Sequence, residues 1–204
     1  MKPIGIFGGT FGPPHNGHIT AANAFYDQCG LDRLYIIPTA TPPHKQIDKG
    51  DDPTKRLTML QLAFEDHPRY NKDGGIFISD FEIKRSEVSY TVNTLEYFTE
   101  TYRRPLIFLC GADMFVTLDK WRRAEDIFKL TAIAYASRDG IDTEAKAREY
   151  VEKYNARLTK VEMDEVALAS SGIRKRIEDG EDVRGELPDK VYDYIRRNSL
   201  YRKA

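Results

Sequence analysis

Six short apolar or alternating runs punctuate the chain: Pro3 to Phe7, Arg33 to Ile37, Ile76 to Ile83, Leu106 to Cys110, Thr131 to Ala136 and Leu158 to Val161. Stretches of helical periodicity separate them. Strands buried on both faces read as near-continuous hydrophobic runs, and parallel neighbours need a crossover, usually a helix. The alternation therefore predicts an α/β, Rossmann-like doubly wound, mostly parallel sheet with helices on both faces. Helices are expected from His18 to Cys29 with Gly30 as the stop, from Thr54 to Asp66, where Leu57, Leu60, Ala63 and Phe64 recur at helical spacing, and from Thr91 to Tyr102. Others are expected over Ala124 to Leu130, Glu144 to Tyr154, Ser171 to Asp179 and Pro188 to Asn198, the last two making a helical C-terminal part from about 165 to 204. No repeat or composition break divides residues 1–204, so one domain is expected.

The first strand runs into Gly8-Gly9-Thr10-Phe11-Gly12-Pro13-Pro14-His15-Asn16-Gly17-His18, ahead of the first helix. Ligands of open α/β sheets bind at such carboxyl ends. Glycines let the backbone approach a phosphate, and a following helix offers free N–H groups and the positive end of its dipole. His15 and His18 are three apart, so once the helix has begun they project from one side toward whatever the turn holds. A metal is a weaker reading, because no third ligand is evident and H-E-x-x-H is absent. Neither G-x-G-x-x-G nor G-x-x-x-x-G-K-[ST] occurs here, which disfavours a dinucleotide oxidoreductase and a P-loop NTPase.

Composition narrows the partners. A hydrophobic fraction of 41% excludes wholesale disorder. Lys+Arg (31) and Asp+Glu (32) nearly cancel, so no global basic field recruits nucleic acid. No run approaches the ~20 residues of a membrane span, and no apolar leader opens the chain. Cys29 and Cys110 are too few for a disulfide framework and read as reduced, buried thiols. A cytoplasmic protein is expected.

G-G-T-F-x-P-x-H-x-G-H resembles the N-terminal signature of the nucleotidyltransferases with an H-x-G-H motif, and within them the chain is similar to bacterial nicotinate-nucleotide adenylyltransferases. Pro38 through Lys45 fits their P-x-x-x-P-P-H-K loop; Ser89-Tyr90-Thr91 with Thr94-Leu95 fits S-Y-T-x-x-T-L; Gly111-Ala112-Asp113, Leu118 and Trp121 fit G-x-D followed by L-x-x-W. Leu168 to Arg174 resembles I-S-S-T-x-I-R, and Tyr194-Ile195 with Leu200-Tyr201 resembles the closing Y-I-x-x-x-x-L-Y. Two positions depart: Gly12 stands where an Asp is usual, and Ala169 replaces the first Ser of the C-terminal motif.

The resemblance implies that ATP and nicotinate mononucleotide are joined into nicotinate adenine dinucleotide and pyrophosphate, with Mg²⁺ carried on ATP and no dedicated metal cage. It implies phosphate contacts from Gly8, Gly9, Thr10, Phe11, His15 and His18, from Ser170 and Ser171 at a late helix start, and from Arg174, whose fork of donors suits a leaving group. Asp113, after Gly111, reads as a ribose ligand or as a helix N-cap. Trp121 reads as a stacking platform for a pyridine ring or as packing. Thr91 opens a helix whose N–H groups suit a carboxylate, or is simply its N-cap. His44 and Lys45, in the long loop from Pro38 to Pro53, read as a lid over the mononucleotide phosphate or as solvated charge. The rivals are a phosphopantetheine adenylyltransferase or cytidylyltransferase, and a non-catalytic nucleotide-binding module.

Overall fold

The computed structural model describes residues 1–43, 52–85, 87–136, 140–163 and 168–202. Among these, one sheet holds β1 (Ile4–Gly9), β2 (Arg33–Pro38), β3 (Ile76–Ile78), β4 (Leu106–Cys110), β5 (Thr131–Ala136) and β6 (Leu158–Val161). The order is β3-β2-β1-β4-β5-β6, and every pairing is parallel. Strand order reverses between β1 and β4, which opens a crevice beyond their carboxyl ends.

The helices are α1 (Asn16–Gln28), α2 (Pro53–Phe64), α3 (Phe81–Arg85), α4 (Thr91–Tyr102), α5 (Ala112–Phe115), α6 (Ala124–Leu130), α7 (Thr143–Tyr154), α8 (Ser170–Glu178) and α9 (Asp189–Arg197). Strand residues alternate between the faces they serve. Ile4, Ile6, Leu106, Phe108 and Ile133 pack with Val92, Leu95 and Phe98 of α4 and Ile127 and Phe128 of α6. On the other face Phe7, Leu34, Ile36, Leu109 and Ala134 meet Phe25 of α1 and Leu60 and Phe64 of α2. Each large side chain so buried contributes ~1.5–3 kcal/mol relative to exposure. A Cβ on Gly5 would sit 2.4 Å from a Leu31 methyl, so a side chain there would push away the segment that follows α1. A third cluster joins Met59 of α2 to Ile173 of α8 and Val191 and Ile195 of α9, so the helical C-terminus seats on α2.

Three expectations change. The run Ile76 to Ile83 is strand only to Ile78; Phe81–Arg85 is helix, because two apolar residues two apart, Phe81 and Ile83, fit either period in so short a window. The long loop ends earlier than Pro53, which is the first residue of α2, where a missing N–H costs nothing and the Asp52 side chain accepts from Thr54 N. Cys110 is buried but Cys29 is only partly so; both are free thiols, and burial pushes both pKa values up. No helix among the described residues is long and apolar enough to cross a membrane.

Candidate active site

β1 ends in Gly8-Gly9, and the backbone then doubles back through Phe11, a non-glycine residue in the left-handed region at φ 49°. Its ring is 2% exposed and lies edge-on to Phe7 (5.3 Å) and His18 (4.9 Å). A Cβ on Gly9 would come within 2.9 Å of that ring, so only glycine lets Phe11 fold over the strand end. α1 begins at Asn16, earlier than the periodicity suggests, with His15 as its N-cap.

The His15 and His18 rings stack at 3.7 Å, and the His15 backbone N–H donates to His18 Nδ1 at 3.1 Å. While that bond is made, Nδ1 carries no proton and Nε2–H is the His18 donor. Burial pushes the His15 pKa down to about 4, so its imidazole is neutral at pH 7 and can act as an uncharged donor.

The C-terminal motif arrives on α8. Ser170 Oγ donates to Pro13 O at 2.9 Å and Arg174 Nη1 donates to Gly12 O at 2.7 Å. These bonds span 157 and 162 residues of sequence. Position 12 meets Arg174 through its main-chain carbonyl, which does not depend on the side chain that glycine lacks. Ala169 is the α8 N-cap and provides no side-chain cap, whereas the usual Ser could turn inward on the N–H groups of the first turn. Ser171 is exposed.

Beside this turn lies a cavity of about 490 Å³, between the ends of β1 and β4 and the start of α4. Gly8, Gly9, Thr10, Thr91, Gly111 and Trp121 line it. Phe11, His15, His18, Asp113, Ser170, Ser171 and Arg174 do not; Asp113 is exposed in the first turn of α5. Trp121 sets its ring near-perpendicular to Phe108 at 6.2 Å. Neither expected cap holds: Tyr90, not Thr91, is the N-cap of α4, and Gly111, not Asp113, that of α5, so Thr91 and Asp113 lie one and two positions inside their helices. His44 and Lys45 fall outside the described residues.

Two residues of this region escaped sequence reasoning. Arg56 is 0% exposed; Nη1 donates to Thr10 O (2.8 Å) and Thr39 O (2.7 Å), and Nη2 to Ala40 O (3.1 Å). It fastens the turn after β1 to the one after β2. The signal was its register, since Arg56 shares a helical stripe with Met59, Leu60 and Phe64 and so had to be buried and bonded. Glu82 is the other, a cavity-wall carboxyl accepting from Thr94 Oγ1 at 2.7 Å. Burial pushes its pKa up, against the hydroxyls of Thr94 and Ser89. Ser89 Oγ in turn accepts from Ala40 N at 3.0 Å, pinning the segment before α4 to the β2 exit.

The family described as cytidylyltransferase-like matches residues 6–176. A nicotinate-nucleotide adenylyltransferase of Bacillus subtilis is 34% identical over 202 residues, covering 98% of this chain and 99% of that protein. Among solved structures, a Plasmodium falciparum nicotinic acid mononucleotide adenylyltransferase complexed with NaAD superposes with a TM-score of 0.83 at 18% identity, covering 98% of each chain. The same parasite protein complexed with APC gives 0.78.

Proposed function

The chain belongs to the cytidylyltransferase-like family, and within it to the nicotinate-nucleotide adenylyltransferases; on that premise we propose how its turn and cavity divide one reaction. The enzyme transfers the adenylyl group of ATP to nicotinate mononucleotide, giving nicotinate adenine dinucleotide and pyrophosphate in NAD biosynthesis. A phosphate oxygen of the mononucleotide attacks the α-phosphorus, a new P–O bond forms, and the bond to the β-phosphate oxygen breaks with its electrons leaving on pyrophosphate. The nucleophile is already anionic, so no side chain has to remove a proton from it. What remains is positioning and neutralisation of charge.

The observation that carries this assignment is the meeting of Ser170 and Arg174 with the backbone of Gly12 and Pro13, beside the stacked histidines. Donors at one place then include His18 Nε2–H, a neutral His15, the first-turn N–H groups of α1 and α8, and a guanidinium. We assign His15 and His18 to the phosphates, Ser170 and Ser171 to the nucleotide, and Arg174 to the departing pyrophosphate. Gly8, Gly9, Thr10 and Gly111 shape the crevice for the nucleotide, with Phe11 holding the turn and Asp113 on the ribose. Thr91 and Trp121 serve the pyridine ring, and His44 and Lys45 the mononucleotide phosphate.

Among the described residues no group of three or more His, Cys, Asp and Glu could hold a metal ion. In our reading a divalent ion, Mg²⁺, arrives on ATP's own phosphates; such an ion would supply charge neutralisation on the polyphosphate. Pyrophosphate release should be measured with ATP or CTP against nicotinate mononucleotide, its amide and phosphopantetheine. Turnover with ATP and the acid is expected; turnover confined to CTP or to phosphopantetheine sinks this reading.

A further inference from the structure

Arg122 and Arg123 are adjacent, and the structure uses them in opposite ways. Arg123, at φ 56°, is the N-cap residue of α6, and its guanidinium is taken by Glu96 (2.7 Å) and Asp126 (2.7 Å). Arg122 turns to the cavity instead. It is exposed, and its guanidinium carbon stands 4.5 Å from the centroid of the Tyr90 ring. Among the described residues no carboxylate lies within ion-pair distance of it. A planar cation on an aromatic face is held without using its N–H donors, whose edge stays presented to the neighbouring space. That space is the cavity, where Arg122 adjoins Trp121 and Thr91.

We propose that Arg122 selects the pyridine-ring carboxylate over the neutral carboxamide, with Tyr90 as its platform; the inference rests on the reading of this cavity as the pyridine-nucleotide pocket. A guanidinium fork matches both oxygens of a carboxylate with two parallel, charge-assisted bonds. A carboxamide offers one oxygen and turns an NH₂ toward the second donor, so one bond is lost and two donors face each other. The α4 N–H groups near Thr91 add a field of the same sign. Among the described residues Glu82, on the cavity wall, is the one carboxyl lining it that could oppose an acid ligand, and burial holds it toward its neutral form.

The test is kcat/KM for the acid and the amide mononucleotide with the unaltered enzyme, Arg122→Ala and Arg122→Lys. Arg122→Ala should lower the acid value by ~10²-fold and the amide value by less than ~3-fold, as expected where a polar site loses its matched partner. Arg122→Lys should fall between, because it keeps the charge and loses the fork. An acid-to-amide ratio that stays constant across the three proteins overturns the inference while leaving the functional reading in place. If the unaltered enzyme turns over neither mononucleotide, the functional reading fails and takes the inference with it. Arg122 is exposed, so folding should survive; Tyr90→Leu is the second arm, expected to reduce the ratio by disordering the guanidinium, and an unchanged ratio there overturns the platform role.

Discussion

The two halves of the crevice are built on opposite plans. On the turn side the polar groups are buried or bonded: His15 is 6% exposed, His18 accepts the cap N–H, and Ser170 and Arg174 hold Gly12 and Pro13 from the far end of the sequence. On the ring side the walls are aromatic faces, backbone and the Glu82 carboxyl, with two exposed cations, Lys120 and Arg122, the latter leaning over Tyr90. Charge that develops during a reaction is best met by donors that need not reorganise, so a rigid, cross-braced turn suits chemistry. Discrimination between rings needs one well-placed mismatch and tolerates an open wall. Lesions on the turn side should therefore register in kcat, and those on the ring side in KM or in substrate ratios.

The largest effect should come from breaking the turn side at Arg174. Arg174→Ala is expected to lower kcat by ~10²–10³-fold, the scale for one lost transition-state donor, with KM for the mononucleotide little changed. Its bond to Gly12 O also braces the turn, so Arg174→Lys and the far-ultraviolet circular dichroism of both variants separate chemistry from folding. A well-folded alanine variant with near-normal kcat would make the two halves equivalent and end the comparison.

Arg56 is where the plans share a foundation, because it bonds Thr10 on the turn and Thr39 and Ala40 at the β2 exit. Arg56→Met removes the partner of three carbonyls at a site 0% exposed. Leaving buried acceptors unpaired costs ~1–3 kcal/mol each, relaxation recovers part of it, and a net loss of about 3 kcal/mol is expected by urea denaturation. A loss confined below about 1 kcal/mol would show that the two loops are held independently of Arg56.

His15 gives the turn side a pH signature of its own. Its folded pKa of about 4 lies below the ordinary 6.5, so the unfolded chain binds the extra proton first. Stability linked to this group is complete above about pH 6.5 and is lost as the pH falls toward 4. At ~1.4 kcal/mol per pKa unit the loss is about 3 kcal/mol at most. Urea titrations at pH 7 and pH 5 should show it in the native protein and show a smaller difference in His15→Gln. Equal differences in both would place the linkage on other groups.

Much of this was legible because both faces of the sheet are buried. Leu106–Cys110 and Thr131–Ala136 carry no alternation to confuse a reader and stop where the structure stops. Gly30, at φ 57°, closes α1 as its residue type advertises. The turn motif placed the histidines, but the clasp by Ser170 and Arg174 is a contact across more than 150 residues that no local pattern encodes. Glu82 was missed for a related reason, since charged residues are read as surface and only the packed structure shows that it is enclosed; the same habit overrode the signal that Arg56 carried in its helical register. The Arg122–Arg123 pair makes the same point in miniature, since two identical neighbouring side chains take different partners, Tyr90 for one and Glu96 with Asp126 for the other.

The smallest expected effect belongs to Trp121, and it sharpens the comparison most. Its indole lines the cavity and rests edge-on against Phe108, so it offers a face to a ring without contributing to the turn. Stacking rewards any aromatic ligand, and acid and amide mononucleotides share the same pyridine, so removal should weaken both by a common factor. An aromatic contact beyond its area is worth ~0.5–1.5 kcal/mol, and with the buried area lost besides, Trp121→Ala should raise both KM values by ~10-fold. The acid-to-amide ratio and kcat should stay within ~2-fold of the unaltered enzyme, the pattern for binding energy shared by ground and transition states. Combined with Arg122→Ala the two effects on the acid should nearly add, since one acts on the ring and the other on its substituent. A ratio that moves in Trp121→Ala would mean that the indole orients the carboxylate as well as the ring, and platform and selector would then be a single device.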